Sequence, residues 1–111
     1  MALTPDGLAV QTHEQQHVAI YEGHWSEMVS QISSFTDKCL SREKANCYNS
    51  LVPIIRGTYW TQALLNNKLF DCGTYGNVFG ACDDVQTLSA EVYGKYFPYL
   101  LAGLSQCDQL K

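Results

Sequence analysis

From residue 18 to residue 39 the apolar positions Val18, Tyr21, Trp25, Met28, Ile32, Phe35 and Cys39 recur at spacings of 3, 4, 3, 4, 3 and 4. That alternation keeps one stripe of a 3.6-residue helix apolar, so it predicts a long helix with an unbroken packing seam. Thr12, with Gln15 three residues on, fits a capping box and sets the predicted span at about residues 13 to 38. After the polar bridge LSREKANCYNS, Pro53 suits a first helical turn. Ile54, Ile55, Tyr59, Ala63 and Leu64 then supply one face of a second helix, which fades at Asn66 and Asn67. A third helix is expected where Asp83 and Asp84 favour a helix N-terminus and Val85, Leu88, Val92, Tyr96, Leu100, Leu104 and Cys107 share a face. Pro98 should kink or interrupt it. Strand-like alternation is missing, which makes the predicted fold all-α: a small disulfide-stapled helical bundle with one long N-terminal helix.

One stretch resists the helical pattern. Residues 70 to 84, FDCGTYGNVFGACDD, carry Gly73, Gly76 and Gly80 and also the apolar Tyr75, Val78 and Phe79. Glycines at this density mark turns, while the apolar tips exceed what a solvated loop needs. The expectation is a Gly-rich loop before the C-terminal helix, with short strand-like segments allowed and Cys72 and Cys82 as its clasp.

With 111 residues, a 46% hydrophobic and a 16% charged fraction, the chain suits one globular domain spanning 1-111. Its formal net charge is −4, and no Lys or Arg precedes Lys38, while Asp6, Glu14, Glu22, Glu27 and Asp37 all lie in that stretch. Such a surface repels phosphate backbones and anionic lipid, so nucleic acid and membrane are not expected partners. A basic-surfaced protein suits it better. The start MALTPDGLAV lacks the basic and apolar regions of a signal peptide, and no run approaches a membrane span. The expectation is the mature form of an exported, periplasmic or otherwise secreted, protein.

That expectation rests on five cysteines, Cys39, Cys47, Cys72, Cys82 and Cys107, none in a C-x-x-C spacing. A small core gains from covalent staples in an oxidising compartment, and the spacings favour neither a structural zinc cluster nor a redox pair. Two bridges are expected: Cys72 with Cys82, and Cys39 with Cys47, which are close in sequence. Cys107 is left buried and free, or displaces one of these partners.

Residues 13 to 17 read HEQQH, the H-E-x-x-H string in which two histidines one helical turn apart share a zinc ion and the glutamate activates bound water. His24 lies seven residues beyond His17, one more than the metzincin spacing, and only twelve residues precede His13, too few for the sheet of a zinc peptidase. An i, i+11 trio on one straight helix spreads over about 16 Å and cannot close on one ion. Another helix would have to donate the third ligand. The reading therefore assigns no metal, no cofactor and no catalytic residue, with a small zinc metallopeptidase using His13 and His17 as the alternative. His17 and His24 are then expected to border an interface, where they could make binding pH-dependent.

Tyr59, Trp60, Tyr75, Phe79, Tyr93, Tyr96 and Tyr99 give the chain more rings than a small core needs, and Tyr and Trp favour interfaces. The cysteines, the acidic first helix and the DCGTYGNVFGACDD loop together resemble the small helical periplasmic immunity proteins that neutralise type VI secretion amidase effectors. The resemblance implies an inhibitor that blocks the cleft of a secreted cell-wall enzyme, and leaves a homodimer open. A disulfide-closed loop suits that role because less entropy is lost when it enters a cleft. The expected contact residues are Asp71, Tyr75, Asn77, Phe79, Asp83 and Asp84. A helical carrier of a small apolar ligand, held in an aromatic cavity, is a further alternative.

Overall fold

A computed structural model describes residues 5–38 and 41–111, with side chains from residue 10 onward. Helix α1 spans Pro5–Lys38 and α2 spans Arg42–Tyr75, forming an antiparallel hairpin. A 3₁₀ turn, Val78–Gly80, leads into α3, Ala81–Glu91; a π turn, Val92–Tyr96, joins this to α4, Phe97–Gln109. Among the described residues there is no strand, so the all-α expectation holds and the strand-like segments allowed at 70 to 84 do not form. α2 is the central rod, with α1 along one flank and α3 and α4 along the other. The extents of 60 × 33 × 14 Å describe rods lying side by side in a layer little more than one helix thick.

Three helix boundaries differ from the sequence reading, each for a local reason. α1 begins at Pro5, eight residues before the predicted start, so Thr12 lies inside the helix and does not cap it. α2 begins at Arg42 because Ser41 is its N-cap: the Ser41 hydroxyl accepts the Lys44 N–H at 3.2 Å. The polar bridge is thus mostly helical, and Pro53 sits inside α2. Proline there removes one backbone donor, and burial of Tyr48, Leu51 and Ile55 around it offsets the loss. α2 also runs on through Asn66 and Asn67 to Tyr75, where Gly76, at φ 72°, ends it by donating to the Cys72 carbonyl. The predicted loop shrinks to residues 76 to 80.

Pro98 does interrupt the last helix, by way of the π turn just before it. The Phe97 N–H reaches back five residues to the Val92 carbonyl, and Pro98 then occupies the first turn of α4, where its missing N–H matters least.

The seam of α1 is rotated from the predicted one. Met28, Ile32 and Phe35 pack inward as expected, but Val18 and Trp25 stand 55% and 65% exposed. The inward stripe is His13, His17, Ile20, His24, Met28, Gln31 and Phe35, so half of the hairpin is closed by polar side chains. At the turn end, Phe35 stacks on Tyr48 at 4.6 Å between ring centres, within a core that includes Met28, Leu51, Ile55 and Leu100. α4 comes close here: a Cβ on Gly103 would stand 2.7 Å from Leu51 Cδ2.

Two disulfides form, Cys72–Cys82 and Cys47–Cys107. The first is the expected clasp. The second replaces the expected Cys39–Cys47 bridge: α4 runs back along α2 and brings Cys107, fully buried, against Cys47, a contact between residues 60 apart that local spacing does not reveal. Cys39 lies outside the described residues. Bridges of this kind form in oxidising compartments, and no helix among the described residues is long and apolar enough to cross a membrane.

Candidate functional site

The open end of the hairpin collects the HEQQH string and its partners. His13 and His17 are four residues apart on α1, so both rings leave the same face toward α2. Asn67 and Asp71 repeat that spacing on α2 and face them. His13 Nε2 lies 2.7 Å and His17 Nε2 2.8 Å from the same oxygen, Asp71 Oδ1, and the two nitrogens are 3.1 Å apart. The His13 and His17 side chains are 11% and 16% exposed. The third donor that His24 cannot supply along one helix therefore arrives from α2, as the sequence argument required of any metal site. His24 faces Asn66, whose Nδ2 is 2.5 Å from His24 Nε2.

The rings are held from behind. Phe70 stacks on His13 at 4.3 Å and meets His17 edge-on at 5.3 Å, and Tyr75 lies 4.9 Å from the His13 ring. Asn67 is buried, and its Nδ2 donates to the Ala63 carbonyl at 2.7 Å, which fixes which way its amide points. Asn67 Oδ1 then accepts from Nδ1 of His17. His13, Glu14, His17 and Asp71 share a cleft of about 290 Å³ that also touches Lys68, Tyr75, Val78 and Phe79.

The charges respond to this crowding. Burial opposes protonation of His17, but the hydrogen bonds to Asn67 and Asp71 and the negative charge of Asp71 and Glu14 outweigh it, raising the pKa above the usual 6.5. Burial likewise favours neutral Asp71, yet hydrogen bonds from His13 and His17 and their positive charge hold it below the usual 3.8. Both shifts favour the charged forms, protonated His17 beside ionised Asp71, over the neutral ones.

The six expected contact residues separate into four groups. Asp71 and Tyr75 belong to α2 and to the histidine cluster. Asn77 and Asp83 build the turn: Asn77 Oδ1 accepts the N–H groups of Cys82 and Asp83 at 2.9 and 3.1 Å, and its Nδ2 donates to Asp83 Oδ2 at 3.1 Å. Asp84 pairs with Lys68 at 3.2 Å. Phe79 stands apart, 99% exposed and at φ 55°, a left-handed backbone that bulky residues avoid.

A second, larger cleft of about 620 Å³ lies between α1 and α2, walled by Tyr21, Trp25, Met28, Tyr59, Trp60 and Ala63. Tyr21 stacks on Trp60 at 5.6 Å.

Sequence reasoning missed Asn67 and Phe70. The available signal was the pair Asn67 and Asp71, spaced like the two histidines, within the ALLNNKLFD run. No protein-family model, no curated protein and no solved structure matches the chain.

Proposed function

We propose that this is an exported binding protein that engages a protein partner through the disulfide-clasped tip, residues 76 to 80. Phe79 carries the reading. A large ring placed wholly in solvent on a left-handed backbone gives up burial and accepts strain, a combination that is kept where the ring has work outside its own fold. Cys72–Cys82 and the Asn77 cap set the tip's shape in advance, which reduces the entropy lost on docking. With Asp83 and Asp84 engaged internally, the contact rests on Phe79, Val78 and Tyr75, and the net charge of −4 favours a basic partner. A secreted cell-wall enzyme blocked at its cleft, as in the immunity proteins, is the finer form of this reading.

The test is paired affinity capture from periplasmic extract with the native protein and a Phe79→Ser variant of equal far-UV circular dichroism. A partner retained by the first and lost by the second supports the assignment. Equal retention by both would remove Phe79 from the interface and sink it.

The 620 Å³ aromatic cleft favours a second reading, a carrier of a small apolar ligand. Native mass spectrometry of gently purified protein checks it: a bound organic molecule, displaced in a Trp60→Ala variant, is the expected result.

A further inference from the structure

We infer that His13, His17 and Asp71 form a zinc site with an open coordination position. Two imidazole nitrogens and one carboxylate oxygen, from two helices, converge on one point with mutual distances of 2.7, 2.8 and 3.1 Å. Zinc binds such donors at about 2.0–2.2 Å, which in a tetrahedral site separates them by roughly 3.4 Å. Spreading the three atoms by about 0.3–0.7 Å makes room for the ion.

The independent observation is the tautomer. Ala63 orients Asn67, and Asn67 takes the Nδ1 proton of His17, so in neutral His17 the lone pair sits on Nε2 and faces Asp71 and His13. The His17 lone pair then faces the Asp71 carboxylate with His13 Nε2 beside both, a set of donor atoms that a shared proton or a metal ion can join. An oriented partner on the far nitrogen of a ligating histidine is the support that metal sites require. Phe70 fixes both rings from the side.

Three protein donors without a fourth are the pattern of reactive rather than structural zinc, and the remaining position opens into the cleft that Glu14 also lines. Nitrogen and oxygen donors without thiolate also admit copper, nickel or iron, so the ion must be chosen by competition. This inference does not depend on the partner reading of the tip.

The experiment uses untagged protein stripped with chelator and titrated with zinc sulfate by calorimetry. About one zinc per chain is expected, and cobalt substituted for zinc should give the intense visible bands of four-coordinate cobalt. His17→Ala and Asp71→Asn should each abolish binding. Asn67→Ala should weaken it about 10–100-fold, as loss of a positioning partner does. Glu14→Gln and Asn66→Ala should keep full stoichiometry, the latter because Asn66 serves His24. Asp71→Asn, nearly isosteric, covers the case in which His17→Ala does not fold. Stoichiometry far below one in the native protein, or Asp71→Asn binding zinc as tightly as native, would overturn the site. Tighter binding of copper, nickel or iron under competition, with zinc excluded at physiological ratios, would overturn the choice of zinc.

Discussion

The two ends of the α1–α2 hairpin are closed by different chemistry. At the turn end, Phe35, Tyr48, Leu51 and Ile55 exclude water and Cys47–Cys107 ties the region to α4. At the open end the same helical faces carry His13, His17, Asn67 and Asp71, with Phe70 packed against both histidine rings. Apolar contacts stabilise through area alone and tolerate any solution condition that keeps water cohesive. The polar end is stable only while each donor meets an acceptor, so protons and cations act on it. A chain of this size with a limited core gives up apolar area at one end, and what it gains is a chemically addressable position.

The comparison can be broken most severely at the turn end. Replacing Cys47 and Cys107 together with Ala opens a covalent loop between residues 60 apart and should cost about 4 kcal/mol in denaturant-unfolding stability. The Cys72–Cys82 bridge, between residues ten apart, should cost about 3 kcal/mol by the same loop-closure reasoning. Leu51→Ala should follow at about 2–4 kcal/mol, because Gly103 holds α4 against Leu51 and limits collapse into the cavity.

The open end should answer to pH instead. His17, with its pKa raised, contributes stability that is complete below about pH 6.5 and fades as pH rises through its folded value. Asp71, with its pKa lowered, contributes above about pH 3.8 and fades as pH falls through its own folded value. In chelator, the melting temperature of the native protein should therefore exceed that of Asp71→Asn chiefly between about pH 4 and 6.5, and the gap should narrow on either side. Leu51→Ala should lower the melting temperature equally across that range. The smallest effect belongs to Phe79→Gly, which relieves a left-handed backbone and should stabilise by about 0.5–1 kcal/mol in the same unfolding assay.

The long first helix, the all-α class and the Cys72–Cys82 clasp were legible because each is written locally, in a repeating spacing or a pair of residues ten apart. The rotated face of α1 was not. Val18 and Trp25 fit an apolar stripe as well as Met28 and Phe35 do, and only the polar complement on α2, Asn66, Asn67 and Asp71, decides which stripe turns inward. Those residues looked like the end of a helix because asparagine interrupts apolar periodicity. Cys47–Cys107 was legible only as the open alternative in which Cys107 displaces a partner, because the return path of α4 is a tertiary fact. For the candidate site, the sequence supplied His13, Glu14 and His17 and the requirement that a second helix donate a third ligand. It could not name Asp71 as that ligand, since doing so requires the register of α1 against α2.

The two disulfides are nested, 72 to 82 within 47 to 107, so most of the chain is a ring inside a ring. All of α1, Pro5–Lys38, lies outside both as a tethered arm. Asp71 and Asn67 ride on the ring, while His13 and His17 ride on the arm. Ion or proton content at that cluster therefore bears on how firmly the open-end half of the arm is held, while Met28 and Phe35 anchor its other half in the core and the ring keeps its topology.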